Sequence, residues 1–465
     1  MEEIAEYILN LLKENKAGYC EVRAEKVKSS AFVLKNSNLE LGETSVNVGI
    51  GARYTINGSL GFLAVNDFNK EKIKELVEKS IRLTKKCQKK SDNVSFGESD
   101  INIQDYKVKQ NINLESVDAS DYLKTLNEVD NSIKDVDGRY FQLSSEVANK
   151  YFINSDGSKI KAEIPRVGVF YLLTLVEGSK SLNRKGELGM TGGFEVLNSF
   201  KLNERVVNEV NALKNTLNRG VKLKSEAMDV VCGPEVVGIA VHESGGHPYE
   251  ADRICGRESA QAGESFLNKD YLGKQLGNEK VTIVDDPTIE SGYGYFLYDD
   301  EGVKAKRKFL MKDGVVNDFL HNRETAVAMG MKNNGSARAS DYNKEVLVRM
   351  SNTLMLPGDH EDEEIIKDVK KGVYIKNFME WNIDDKRWQQ KYVGSEAYLI
   401  EKGEIVKPVI NPVLEITTPA LYKAIDAIGK KIELHAGSCG KGEPMQGIPV
   451  SMGGPMIRLR NVHIK

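Results

Sequence analysis

Residues 228–253 read MDVVCGPEVVGIAVHESGGHPYEADR. The opening "MDVVCG" is a short apolar run of strand length. It feeds a helix that Pro234 starts, because proline's missing N–H is one that the first helical turn leaves unpaired in any case. Glu235 stands in that first turn, where the helix dipole favours an acid. His242 and His247 then bracket Glu243 at a spacing of five. At 3.6 residues per turn, positions five apart point about 140° away from each other, whereas positions four apart differ by only about 40°. A straight α-helix therefore cannot aim both histidines at one ion. Gly245, Gly246 and Pro248 predict that it is not straight. Pro248 also disfavours the helical conformation for His247. A π-bulge here inserts one residue into a turn and makes i, i+5 an effective i, i+4. The stretch thus predicts a strand, a helix and a distorted metal-binding turn. The plainer alternative is two histidines at a helix end, His247 near the negative pole.

Glu243 directly follows the first histidine, the place of a general base in zinc peptidases. Zinc needs a further ligand, and spacing leaves the choice open. Cys255, Glu250, Cys439 and His435 all remain candidates. Cys439 stands in "LHAGSCGKGEPMQGIPVSMGGP", residues 434–455, a glycine- and proline-rich stretch read as a loop in which a thiolate can approach a metal closely. The same residues allow a metal-free chemistry, with Cys439 as nucleophile and His435 or His242 as its base. That reading leaves Glu243 and one histidine of the bracket unused.

Outward from this stretch the chain divides by texture. At 465 residues it exceeds one ordinary core, and the boundary is expected near 221, giving units 1–220 and 221–465. In the first, "MEEIAEYILNLLKENK" is an amphipathic helix with no character of a signal peptide. "SVNVGIGARYTINGSLGFLAV" is a hairpin turning at Asn57-Gly58. A helix follows from Asp67 or Asn69, then a loop or irregular crossing over 88–115, a helix over 116–136, a hairpin turning at Asp156-Gly157, and a helix over 202–217. After residue 280, short strands and glycine-rich turns dominate, as in "VTIVDDPT", "GVYIKNFMEWNI" and "YVGSEAYLIEKGEIVKPV". One helix is expected over 418–430. The class is α+β: an N-terminal α/β unit of hairpins and helices, and a mainly antiparallel β unit that carries the distorted helix.

Composition narrows the function. Sixty-five basic and 68 acidic residues give a net charge of −3, no footprint for nucleic acid or an anionic membrane. The longest apolar run, "VFYLLTLV", falls far short of the roughly 20 residues of a membrane span. Five scattered cysteines imply no disulfide framework and point to a reducing cytoplasm. The acidic run Asp299–Gly302 in "LYDDEG" reads as a solvated turn or, less commonly, a substrate-channel wall. Arg349 and Asn352 in "VRMSNT" hold substrate or tie loops together.

Together these motifs resemble the TldD side of the TldD/PmbA (TldE) family of metallopeptidases. "HESGGHPYEADR" is similar to that family's H-E-x-x-x-H helix and "SCGKGEPMQG" to its late Cys-Gly-Lys segment. "DDPTIESGYGYFLYDDEG", "FLHNRETAVAMG" and "VRMSNTLMLPG" lie between them in the family's order, while "GIGARYTINGSLGFLAV" and "INSDGSKI" echo its first half. The resemblance implies zinc bound by His242, His247 and Cys439, and Glu243 as catalytic base. It implies short or unfolded peptides as substrates, and either a PmbA/TldE-like partner subunit or a homodimer. The competing class is a non-catalytic subunit whose zinc is structural, for which Glu243 is dispensable.

Overall fold

The computed structural model describes residues 1–88, 94–257 and 264–465. Strand β1 (Cys20–Lys35) pairs along its whole length with β2 (Asn38–Ile56) and, from Glu21 onwards, with β5 (Gly138–Asn154). Adding β3 (Ser59–Val65), β4 (Ile103–Lys107), β6 (Lys159–Glu177) and β7 (Lys180–Thr191) completes a seven-stranded sheet. The turn at Asn57-Gly58 has both residues at positive φ, 50° and 81°, the left-handed geometry that suits a tight hairpin. The Asp156-Gly157 hairpin is present as expected, and the apolar run 169–176 lies inside β6.

Two helix layers cover this sheet. Helix α1 (Glu2–Glu14) and helix α2 (Lys70–Cys87) bury Ile8, Leu12, Ile73 and Val77 against Val22, Ala52 and Leu63. Helix α3 (Ala119–Asn131) and the helix Leu202–Arg219 bury Leu126, Val129, Val206 and Leu213 against Phe141, Val169 and Leu188. Helix α3 is shorter than the expected 116–136, since Asp118, whose N–H donates to the Asp121 carboxylate, fixes its start. The crossing expected over 88–115 contains β4, parallel to β6, and a short turn of helix. That strand has no buried face, so it carries no alternation to read. Positions 89–93 of that expected crossing lie outside the described residues.

Strand β8 (Glu226–Cys232) enters a nine-stranded sheet, which includes Lys371–Ile375, Gln389–Gly394 and the strand Ile457–Ile464. A six-stranded sheet beside it contains Ile283–Asp285, Asn352–Met355 and the hairpin Glu433–Lys441/Gln446–Gly454. Most pairings are antiparallel, as expected; those of Asn352–Met355 with Gln446–Gly454 and of β8 with Lys371–Ile375 are parallel. The whole is α+β.

Two expectations are corrected. The helix placed over 418–430 stops at Ala424, and Ile425–Ile428 is a strand paired with Ile457–Ile464. A short buried apolar run serves either state, and here a waiting strand edge decides it. The stretch around Cys439 is not a loop but a regular hairpin, with Cys439 opposite Ile448. Its glycines mark close packing rather than irregular backbone. A Cβ on Gly453 would lie 2.2 Å from the Glu433 carbonyl oxygen, and one on Gly454 would lie 2.7 Å from Val237.

Candidate metal centre

The helix begun by Pro234 runs to Ala240 and continues as a π-helical turn, Val241–Gly246, before a tight turn at His247–Tyr249. The extra residue in the turn swings His242 and His247 onto one side, their ring centroids 4.9 Å apart. Pro248 does not drive His247 out of helical geometry, for it keeps φ −53° and ψ −41°. Pro248 stands second in the tight turn that follows. The two glycines serve space more than backbone freedom. A Cβ on Gly245 would stand 2.8 Å from Ile283, and one on Gly246 would stand 1.9 Å from the Met350 sulfur.

The hairpin brings Cys439 to the histidines. Its Sγ lies 3.5 Å from His247 Nε2, and one donor atom from each of His242, His247 and Cys439 lies within 4.8 Å of the others. Two ligands of one tetrahedral zinc, each about 2.0–2.3 Å from it, are roughly 3.5 Å apart. All three residues are buried, and His242 Nδ1 has no hydrogen-bond partner. The donor set therefore fits a thiophilic, imidazole-binding ion such as zinc.

The surroundings fix each donor. Glu250 accepts a hydrogen bond at 2.9 Å from His247 Nδ1, which turns Nε2 towards Cys439. Glu250 itself is held by Arg253 at 2.6 Å and Lys441 at 3.3 Å. Burial alone would raise its pKa, but Lys441, His247 and Arg253 hold it well below the usual carboxylate range. For Cys439, burial is likewise outweighed, and the positive charges of His247, Arg349 and His242 keep the thiol well below its ordinary range. Burial disfavours the charged form of His242, yet the neighbouring Cys439 thiolate raises its pKa overall.

Glu243 faces the same pocket, where Trp381 Nε1 donates to its Oε1 at 3.2 Å and Arg387 forms an ion pair with its Oε2. The pocket encloses about 270 Å³. The hairpin of Cys439 lines it, and β7, which packs against that hairpin, adds Arg184, Lys185 and Glu187. Arg184 makes a two-pronged ion pair with Glu235, at 2.7 and 2.8 Å, and reaches Glu209 at 3.0 Å, so both halves of the chain build the site.

The other candidates lie elsewhere. Cys255 is exposed and outside the cluster. His435 lines the pocket wall away from the three donors, and burial lowers its pKa. The Asp299–Gly302 run is no solvated turn. Asp299 accepts from the N–H groups of Glu301, Val303 and Ala337, Asp300 pairs with Lys150, and Glu301 pairs with Arg53. Arg349 and Asn352 tie loops: Arg349 donates to the carbonyls of Cys439 and Gln446, and Asn352 to that of Asp286. Sequence reasoning missed Trp381, Arg387 and Lys185. Only the rarity of tryptophan, two in the chain, singled out the first.

Comparison with known proteins covers nearly the whole chain. Residues 225–465 match the model of the PmbA/TldA metallopeptidase C-terminal domain, 20–84 that of domain 1, and 112–214 that of the central domain. A metalloprotease of Methanocaldococcus jannaschii is 31% identical over 97% of this chain and 99% of its own. A zinc metalloprotease TldD homolog of Saccharolobus solfataricus is 26% identical over 96% of each chain. The crystal structure of TldE from Thermococcus kodakarensis superposes with a TM-score of 0.79 at 18% identity, over 100% of this chain and 99% of that one, and so shares the fold.

Proposed function

This chain belongs to the PmbA/TldA metallopeptidase family, and from that premise we propose that it is a zinc-dependent peptidase acting on short or unfolded peptides. His242, His247 and Cys439 hold the ion and Glu243 is the general base. Residues 221–465 form the catalytic unit, and 1–220 close the pocket over it. The observation that carries this reading is the convergence of three buried donors beside a carboxylate in one pocket. A zinc ion there supplies a Lewis acid for the scissile carbonyl and brings the pKa of water towards neutrality.

The chain's own groups do the rest. Arg387 engages Oε2 of Glu243, which leaves Oε1, beside the neutral indole N–H, to take the proton of the attacking water. Glu243 returns that proton to the leaving amine. An extended peptide enters the pocket along the Cys439 hairpin and is read through its main chain. The likeness to a TldE structure supports assembly with a PmbA/TldE-like partner or a second copy of this chain. No helix among the described residues is long and apolar enough to cross a membrane, and a cytoplasmic enzyme accords with the cysteine pattern.

Zinc content and peptide hydrolysis, measured on wild type, Cys439→Ala and Glu243→Gln, test the proposal. The expected result is near-stoichiometric zinc in wild type and a sharp fall in Cys439→Ala. Glu243→Gln should keep zinc and lose activity by roughly 10²-fold or more. Full activity in Glu243→Gln would assign the metal a structural role. The 3.5 Å contact between Cys439 and His247 also fits a thiolate nucleophile with its base. Activity that survives complete zinc removal but not Cys439→Ala would establish that chemistry instead.

A further inference from the structure

Four cations line the pocket beside the metal centre: Arg184, Lys185, Arg205 and Arg387. Three are committed to carboxylates. Arg184 is held by Glu235 and Glu209, Arg205 lies 3.8 Å from Glu209, and Arg387 is bound to Glu243. Lys185 is in no ion pair among the described residues. Its ammonium sits over two aromatic rings instead, 4.1 Å from the Trp381 centroid and 5.1 Å from that of Phe378. Those faces attract a cation but leave its N–H groups unused. Burial lowers its pKa, and the charge of Glu187 only partly offsets this. Such a half-desolvated ammonium gains more from a carboxylate than a surface lysine does, because water competes less.

Position gives that affinity a meaning. The indole that carries Lys185 on its face donates from its edge to Glu243, at 3.2 Å. Lys185 and the base therefore contact the same ring, which places them within roughly three residues of extended chain, at about 3.3 Å per residue. His435 adds a second free group to the same pocket, with Nε2 buried and unpartnered. Resting on the peptidase reading above, we propose that Lys185 is a specificity residue that binds a carboxylate of the substrate peptide. Cleavage then falls a short, fixed distance from that carboxylate, at most about three residues away. A terminal carboxylate and an acidic side chain share this chemistry.

The test uses the full-length, zinc-loaded chain, together with any partner that copurifies, and one peptide sequence in three forms: free C-terminus, C-terminal amide, and free C-terminus with an internal Asp or Glu changed to its amide. Wild type should show a KM at least tenfold lower for whichever form keeps the recognised carboxylate, with similar kcat. Loss of the preference on amidating the terminus identifies a terminal group; loss on neutralising the side chain identifies that one. Lys185→Gln should erase the preference by raising KM, and Lys185→Arg should retain it. Equilibrium binding of the same peptides to chelator-stripped protein should show the same ratio without catalysis. A preference in binding with no cleavage would leave the subsite standing and overturn the peptidase reading. Equal binding of charged and neutral forms by wild type, or a preference that survives Lys185→Gln, would overturn the proposal.

Discussion

Glu250 touches no peptide and stands outside the cluster, yet it decides which nitrogen of His247 is free. Its 2.9 Å bond to Nδ1 fixes ring and tautomer. Glu250→Ala should lower zinc affinity about 10- to 100-fold, measured by competition with a chromogenic chelator. A second buried imidazole acts on stability. His321 bonds Thr325 through Nδ1 at 3.2 Å, its Nε2 has no partner, and burial pushes its pKa down to about 4. The unfolded chain, with an ordinary histidine near 6.5, binds more protons between those values. Stability is therefore full above about pH 6.5 and falls as pH drops towards 4, by on the order of 3 kcal/mol. Denaturant titrations across that window should show the slope flatten in His321→Gln. At this scale the sequence displayed His242, Glu243 and His247 plainly, because their relation is local. Cys439 lies 192 residues from His247, and only the family resemblance singled it out. Arg387 and Trp381 gave no signal, since what they contact depends on how distant segments meet.

The π-helical turn is the element on which the site depends. Met350 is fully buried, so a methyl group on Gly246, 1.9 Å from its sulfur, cannot be accommodated by a simple swing outward. Gly246→Ala should destabilise the protein by about 1–3 kcal/mol and reduce bound zinc, read by thermal unfolding and metal analysis. Adding Met350→Ala should recover part of the zinc, because the two changes share one space. The turn was legible from its spacing and its glycines, although the glycines work mainly by making room. Hairpins with Asn-Gly or Asp-Gly turns were equally legible. Strand β4 was not, nor was the strand Ile425–Ile428, because each takes its conformation from a sheet edge rather than from its own pattern.

Across the whole molecule, buried charges cross from one half to the other. Arg184 of β7 meets Glu235, Arg53 of β2 meets Glu301, and Arg166 of β6 donates to the carbonyls of Tyr293 and Tyr295. Arg184→Ala strands Glu235 without its cation and leaves Glu209 only Arg205 at 3.8 Å, at an expected loss of about 3–5 kcal/mol. Calorimetry should show one cooperative transition in wild type, with the variant melting earlier. The change of texture near residue 221 hinted at two units. How they face each other was hidden, since ion pairs between residues far apart in sequence leave no periodic trace.

The pocket wall supplied by β7 has a consequence for how such chains can be rearranged. A crossover between residues 191 and 226 would join a Lys185-bearing wall to a metal-bearing hairpin from another lineage, and would set Arg184 against whatever replaces Glu235. Recombination at the junction that looks simplest thus cuts through a place where neither half is self-sufficient. Exchanges confined within a half disturb the seam too wherever a swapped strand carries one of its charges, as β2 does with Arg53 towards Glu301.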